Sequence, residues 1–212
     1  MTDAQFPDWF FDRDDASSDD RFYRSPRFVT HIDDGAVRAV GALYAELGID
    51  GGASAPASVL DIMSSWVSHF STPPARLTVL GMNSAELAAN AAATERVVQD
   101  LNVDASLPFA DDTFDAVTCC VSIDYLVQPM AVLAEVARVL RSGAPVVITY
   151  SNRCFPSKAV HGWSATTDDQ HGEVVSRYIA LAGGFHPAEV SLRTPASGYR
   201  GDPLWAVTAR AP

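Results

Sequence analysis

The sequence is short of basic residues and of cysteine. Its 26 acidic residues outnumber 15 basic ones, which gives a formal net charge of −11. Binding of a phosphate backbone depends on clustered Lys and Arg, so nucleic acid is not an expected partner. The three cysteines, Cys119, Cys120 and Cys154, match no metal-ligand spacing. We therefore expect reduced thiols and no cysteine-bound metal.

The sequence also lacks a long apolar run and a secretory leader. No stretch approaches the roughly 20 apolar residues that span a bilayer. The first 15 residues are acidic, whereas a signal peptide begins basic and then becomes apolar. These absences predict a cytoplasmic protein that does not enter a membrane. His161 and His171, with Asp168 and Asp169 nearby, fit no recognised metal motif, so no metal is predicted.

What is present suits a single domain. The chain has 212 residues, of which 48% are hydrophobic and 19% charged, enough for a substantial core. Residues 1–33 form an N-terminal arm or lid, and residues 34–212 form the α/β core. The segment 1–20 carries seven aspartates around the aromatic residues Trp9, Phe10 and Phe11. It has no core of its own, so removal of residues 1–30 is predicted to leave a folded domain.

Short runs of Val, Leu and Ile alternate with helical patterns along the chain. The first five runs, over 58–62, 77–82, 96–101, 115–121 and 145–150, predict parallel strands covered on both faces. Helices are expected over 84–93, 129–141 and 170–182, with a helix or turn around 65–70. Two final runs, 188–194 and 203–211, predict a hairpin-like pair with an antiparallel C-terminal strand. The expected fold class is a doubly wound, mostly parallel seven-stranded α/β sheet.

The second half of this pattern carries specific motifs. Leu107-Pro108-Phe109 precedes Phe114-Asp115, and the helix that follows contains Glu135 and Arg138 in the order Glu-x-x-Arg-Val-Leu-x-x-Gly. This ordered set resembles the class I S-adenosylmethionine (SAM)-dependent methyltransferases of the type 11 kind. The resemblance implies a Rossmann-like methyltransferase fold, SAM as cofactor, S-adenosylhomocysteine (SAH) as product and a small-molecule acceptor.

The cofactor loop departs from that family. Its first-strand motif reads Val-Leu-Asp-Leu-Gly-x-Gly-x-Gly, and here VLDIMSSWV (59–67) keeps Asp61 but has Met63, Ser65 and Val67 at the glycine positions. Glycine lets the backbone turn tightly and approach a ligand closely. Ser64 and Ser65 are small, and we expect their hydroxyls to replace the lost backbone contacts.

The resemblance implies further cofactor contacts at the strand ends. Asn83 stands where the family has a ribose-binding acid, Asp100 and Asn102 stand near the adenine amino group, and Leu101 covers the adenine ring. Arg27 is expected to pair with the cofactor carboxylate, and Tyr23 is expected to line the pocket. The predicted set of cofactor contacts also includes Met82 and Cys120.

Acceptor recognition is predicted at the fourth and fifth strand ends. His31 and Asp124 are the alternatives for a general base, and Tyr125, Asn152 and Arg153 are candidate substrate contacts. The arm from Trp9 to His31 is expected to close over this region as a lid. The alternative function is a non-catalytic SAM- or nucleoside-binding protein, indicated by the missing glycines and Asn83. A dinucleotide oxidoreductase is disfavoured because no Gly-x-Gly-x-x-Gly turn is present. The oligomeric state stays open.

Overall fold

The fold is built around one seven-stranded sheet, described by a computed structural model for residues 6–52, 57–195 and 198–212. The strand order is β3-β2-β1-β4-β5-β7-β6. The strands are β1 Ser58–Ile62, β2 Arg76–Gly81, β3 Glu95–Val98, β4 Ala116–Cys120, β5 Pro145–Ser151, β6 Glu189–Leu192 and β7 Leu204–Arg210. Strands β1 to β5 pair in parallel, and β7 runs antiparallel to both β5 and β6. The predicted fold class is confirmed.

Helices cover both faces of the sheet. They are α1 Asp19–Phe22, α2 Asp34–Glu46, α3 Ser84–Ala89, α4 Pro129–Val139, α5 His161–Ser164 and α6 Asp168–Ala182. Alternate strand residues point to opposite faces, so Leu60 and Ile62 pack in one apolar layer with α4 and α6, while Val59 packs in the other with α2. The chain builds the sheet outward in one direction from β1 to β3 and in the other direction from β4. The switch point between β1 and β4 leaves a crevice at the carboxyl ends of the strands.

One predicted helix is shorter in the structure. The helix predicted over 84–93 ends at Ala89, because Asn90 leaves the helical conformation and its side-chain oxygen accepts the Ala92 N–H. The stretch 65–70, predicted as a helix or a turn, is an irregular loop with a bend at Trp66. At the start of α2, Asp33 is the N-cap and accepts the Ala36 N–H at 2.8 Å.

The N-terminal arm belongs to the folded core, and the predicted independence of the remainder from residues 1–30 is not supported. Phe10 is buried in the main apolar layer and its ring lies over Gly162, where a β-carbon would stand only 2.2 Å from it. Lys158 is fully buried, and its ammonium lies 3.0 Å from Asp19 and 3.2 Å from Asp15 of the arm. Removing the arm would leave Lys158 without the two carboxylates that pair with it.

Candidate functional site

A cleft of about 520 Å³ opens at the carboxyl ends of the parallel strands. It lies at the topological switch point, where open α/β sheets bind ligands. Every predicted site residue but one lines it. These lining residues are Tyr23, Arg27, His31, Asp61, Met63, Ser64, Ser65, Met82, Asn83, Asp100, Leu101, Asn102, Cys120, Tyr125, Asn152 and Arg153. The exception is Asp124.

Asp61 fixes the loop that follows β1. Its buried carboxylate accepts hydrogen bonds from Ser64 Oγ at 2.6 Å and from Thr118 Oγ1 at 2.8 Å. Burial raises the pKa of Asp61, and these hydroxyl donors oppose that rise. Because Thr118 belongs to the adjacent strand β4, the carboxylate ties the loop to both central strands. Asp61 thus positions the loop through these two hydrogen bonds.

The β1 loop retains a glycine-like backbone without glycine. Met63 has a φ of +52°, in the left-handed region that glycine adopts freely. Gly81 at the end of β2 allows the loop to come close, since a β-carbon there would lie 2.1 Å from the Ser64 carbonyl oxygen. The hydroxyls expected to replace the lost backbone contacts turn elsewhere, because Ser64 donates to Asp61 and Ser65 donates to Glu86 at 2.5 Å.

All hydrogen-bonding groups of the Asn83 side chain already have partners within the protein. Asn83 Oδ1 caps α3 by accepting the Ala85 and Glu86 N–H groups, and its Nδ2 donates to the carbonyls of Tyr23 and Arg24. An amide has two donor hydrogens and an acceptor oxygen. The structure therefore does not support the predicted role of Asn83 as a ribose ligand, because its hydrogen-bonding groups already have partners.

Asn102 is occupied in the same way. Its Nδ2 donates to Asp19 Oδ2 and to the Tyr125 carbonyl, each at 2.9 Å, and its Oδ1 accepts the Val127 N–H at 2.8 Å. Asn102 joins the arm to the loop after β4 and is not free to bind an adenine amino group. This too corrects the sequence-based expectation.

Glu86 is a cleft residue that sequence reasoning missed. It lies in the first turn of α3, is only 8% exposed and lines the cleft. Its two carboxylate oxygens accept the Arg27 N–H at 2.7 Å and the Ser65 hydroxyl at 2.5 Å. Each carboxylate oxygen can accept a further hydrogen bond. The sequence feature that could have identified it is an acidic residue in the first turn of the helix that follows β2.

The loop after β3 places Asp100 and Leu101 against the cleft. One Asp100 oxygen accepts the Asn102 N–H at 2.8 Å, and burial raises the pKa of this carboxyl group. Leu101 is buried and offers an apolar wall. At the end of β4, burial raises the pKa of the Cys120 thiol to about 12, so Cys120 lines the cleft as an uncharged group. Met82 adds an apolar contact beside Asn83.

Of the two residues proposed as general base, only His31 faces the cleft. Partial burial lowers its pKa, so its imidazole is neutral at pH 7. Asp124 is buried away from the cleft, and burial raises its pKa to about 8. A protonated carboxyl group with no access to the cleft is unsuited to the role predicted for it. His69, which we had not assigned to the site, also lines the cleft, and burial lowers its pKa to about 4.

The arm crosses the cleft mouth as a strap, which we define as residues 23–31. It is held to the β2 side by Asn83 and Glu86, as described above. On the β1 loop, Trp66 Nε1 donates to the Val29 carbonyl at 3.0 Å. Trp66 is half-buried and lines the cleft. The strap therefore contacts the loops that follow both β1 and β2.

The loop after β5 forms the opposite wall. Asn152, Arg153 and Cys154 are exposed and line the cleft. Phe155 is fixed against the loop after β4, because its backbone N–H donates to the Tyr125 hydroxyl at 2.9 Å. Within residues 6–52, 57–195 and 198–212, no group of three or more His, Cys, Asp or Glu side chains is arranged to hold a metal ion.

Among the described residues, no helix combines the length and the apolar character needed to cross a bilayer.

The comparisons with known proteins agree with this architecture. Residues 62–148 match the family model of a methyltransferase domain. The [4+2]-cyclase SpnF has a similar fold, at 15% identity and a TM-score of 0.60 over 91% of each chain. A SAM-dependent methyltransferase from Aquifex aeolicus gives 15% identity and a TM-score of 0.57, covering 85% of this chain and 95% of that one.

A third similar structure is phosphoethanolamine N-methyltransferase 2 from Haemonchus contortus in complex with SAM. It is 13% identical, with a TM-score of 0.56, and the match covers 92% of this chain and 60% of that one. No curated protein sequence gives a significant match. Residues 62–148 thus match the model of a methyltransferase domain, and the chain has the fold of the class I SAM-dependent methyltransferases that its motifs resemble.

Proposed function

We propose that this protein is a SAM-dependent methyltransferase that acts on a small molecule. The observation that carries the proposal is the position of the cleft, which is lined by loops of the methyltransferase domain at the switch point of its sheet. Its volume of about 520 Å³ suits a small ligand, since such pockets commonly span roughly 300–1,000 Å³. SAM, when bound, supplies a methyl group carried by a positively charged sulfur.

The chemistry of the lining fits this cofactor despite the missing glycines. Asp61 holds the β1 loop, and the left-handed Met63 keeps its turn. Glu86 provides the carboxylate that Asn83 cannot provide. Its oxygens have lone pairs left to accept hydrogen bonds from the ribose hydroxyls. Asp100 and Leu101 offer a carboxyl group and an apolar wall for the adenine. The SAM complex of the Haemonchus enzyme, which shares this fold, supports the same choice of ligand.

The remaining lining residues would orient the acceptor and remove its proton. Tyr125, Asn152 and Arg153 stand at the ends of β4 and β5, on the side away from the adenine wall. His31 is a neutral imidazole in the cleft, so it is the candidate base for an acceptor that must lose a proton. The strap limits the access of water to this space, and positioning and water exclusion are the main contributions expected of the protein.

Calorimetric titration with SAM and SAH tests the proposal. We expect dissociation constants in the micromolar to submillimolar range. Glu86→Gln should weaken both ligands by about tenfold, because a charge-assisted hydrogen bond to the ribose is lost. Glu95→Gln is the matched control, since Glu95 is an exposed residue of edge strand β3 that pairs with Arg76. No heat and no melting shift at millimolar ligand would contradict the proposal.

A second candidate function is a nucleoside-binding protein without methyl transfer. The side chains at all three glycine positions of the β1 loop favour it, and the [4+2]-cyclase SpnF has a similar fold. Tight SAH binding, with no methylated product from SAM across a broad panel of acceptors, would select this alternative.

A further inference from the structure

Arg27 lies on the acceptor side of the cleft. The loops after β1, β2 and β3 form one side, and the loops after β4 and β5 form the other. The strap reaches the first side with its backbone, but the Arg27 guanidinium points to the second. Its Cζ is 5.3 Å from the ring centre of Phe155, in the loop after β5, and 4.6 Å and 5.6 Å from the rings of Phe22 and Tyr23. The three rings form a cage around the cation.

The caged guanidinium has no anion to pair with. Arg27 Nη2 donates to the Phe22 carbonyl at 2.9 Å, whereas Nη1 is buried without a hydrogen-bond acceptor. Within the described residues no carboxylate lies within 4.0 Å of the guanidinium nitrogens, although Asp19 and Glu86 also line the cleft. A buried donor without an acceptor is costly, and a planar guanidinium suits an oxyanion with two oxygens. A ligand carboxylate meets both requirements.

The wall beside Arg27 is aromatic and rigid. The rings of Tyr125 and Phe155 lie 6.0 Å apart at an angle of 34°, and the Phe155 N–H fixes the Tyr125 hydroxyl. Tyr125 is only 8% exposed, so it has little freedom to move aside. Aromatic walls of this kind pack well against flat rings.

We propose that the acceptor is a flat aromatic molecule that carries a carboxylate. Arg27 binds the carboxylate, and Phe155 and Tyr125 pack against the ring. This deepens the proposed function and rests on it for the identity of the ligand as a methyl acceptor. It also departs from the sequence-based expectation that Arg27 pairs with the cofactor carboxylate, which becomes a distinct outcome of the test.

The test measures ligand affinities of the full chain in the presence of saturating SAH. Benzoate, benzamide and cyclohexanecarboxylate separate the charge of the ligand from its flat ring. We expect benzoate to bind at least about fivefold more tightly than either analogue. Arg27→Gln should weaken benzoate about tenfold and change SAH affinity by less than about twofold. Arg24→Gln is the control, because Arg24 is a highly exposed strap residue that pairs only distantly with Asp20, and it should change neither affinity.

Two results would overturn the proposal. One is equal affinity for benzoate and benzamide. The other is a loss of about tenfold in SAH affinity in Arg27→Gln with benzoate binding unchanged, which would assign Arg27 to the cofactor carboxylate. Arg27→Lys, which retains the charge, should keep part of the benzoate preference and controls for misfolding, as do the melting temperatures of all variants. If SAH fails to bind while benzoate still binds in an Arg27-dependent way, the carboxylate-binding site is supported and the proposed methyl transfer is contradicted.

Discussion

Three residues that line the cleft, Met63, His69 and Val121, hold a left-handed backbone conformation that side chains disfavour. Met63 after β1 has a φ of +52°, and Val121 after β4 has a φ of +44°. A β-branched residue such as Val121 is especially uncommon in the left-handed region. Both positions follow the two central strands at the switch point, and both line the cleft. Strain of this kind tends to cluster at functional sites, since surrounding structure must maintain it.

Met63→Gly should increase cofactor affinity. Glycine adopts the observed φ without strain and lets a ligand lie against bare backbone. The loss of partly buried Met63 packing offsets the relief of strain, so the free energy of unfolding should change by no more than about 1–2 kcal/mol. Titration with SAH measures the affinity. Asp112→Gly is the control, because Asp112 has the same φ of +52° and does not line the cleft. Weaker SAH binding in Met63→Gly would mean that the Met63 side chain itself contacts the ligand.

The sequence predicts which residues line the cleft better than it predicts their hydrogen-bond partners. Strand-end positions such as Asp61, Asp100 and Leu101 follow from apolar runs and from the motif order, and all three line the cleft. The engagement of Asn83 was not predictable, because its Nδ2 bonds to carbonyls 59 and 60 residues earlier in the chain. Glu86 was missed for the same reason, since the backbone of the folded arm gives it a donor from Arg27.

At the scale of the element, the arm is attached by two different kinds of contact. Its inner part is buried, with Asp19 bound by Arg13, Lys158 and Asn102. The strap is held by single hydrogen bonds to its backbone, two of them at exposed positions. Exposed single bonds open at lower free energy than buried networks. We therefore expect the strap, rather than the whole arm, to be the segment that opens for ligands.

Asn83→Asp should loosen the strap without unfolding α3. Aspartate is as good an N-cap as asparagine, but it has no N–H to donate and places negative charge beside the Tyr23 and Arg24 carbonyls. Trypsin should cleave at Arg24 and Arg27 faster than in the native protein, with the free energy of unfolding changed by less than about 1 kcal/mol. Asn83→Ala, which also removes the cap, should lose about 1 kcal/mol more. Equal cleavage rates for native protein and Asn83→Asp would show that these bonds do not hold the strap.

The limits of prediction at this scale have a physical cause. Strands buried on both faces read as continuous apolar runs, which is why the central strands β1, β2, β4 and β5 were found. Helix α3 was predicted too long because its alanines favour helix beyond Ala89, whereas the Asn90 side chain instead donates to Ser68 and the Ser65 carbonyl of the β1 loop. Tertiary bonds of this sort override local helix propensity.

At the scale of the whole molecule, an acidic arm balances a cation inside the protein. The sequence places seven aspartates in residues 1–20, a segment with no core of its own, yet Asp15 and Asp19 surround the fully buried Lys158. The Lys158 ammonium also donates to the carbonyls of Asp15 and Ser17. Burial raises the pKa of Asp19, but hydrogen bonds from Arg13, Asn102 and Lys158 outweigh it and lower the pKa overall. Because the folded pKa is lowered, this stabilisation is present above the unfolded value near 3.8 and is lost as pH falls below it.

This balance predicts that the effect of one substitution depends on the arm. In the full chain, Lys158→Met should lower the free energy of unfolding by about 2–4 kcal/mol, because Asp19 loses one of its buried donors. In a chain without residues 1–30, the groups that surround the Lys158 ammonium are gone and water reaches it, so Lys158→Met should change the free energy of unfolding by less than about 1 kcal/mol. The shortened chain itself should melt well below the full chain, because it also loses Phe10 from the core. Thermal melts of the four proteins at pH 7 measure the cycle. If Lys158→Met destabilises both chains equally, the arm contributes nothing to the environment of Lys158.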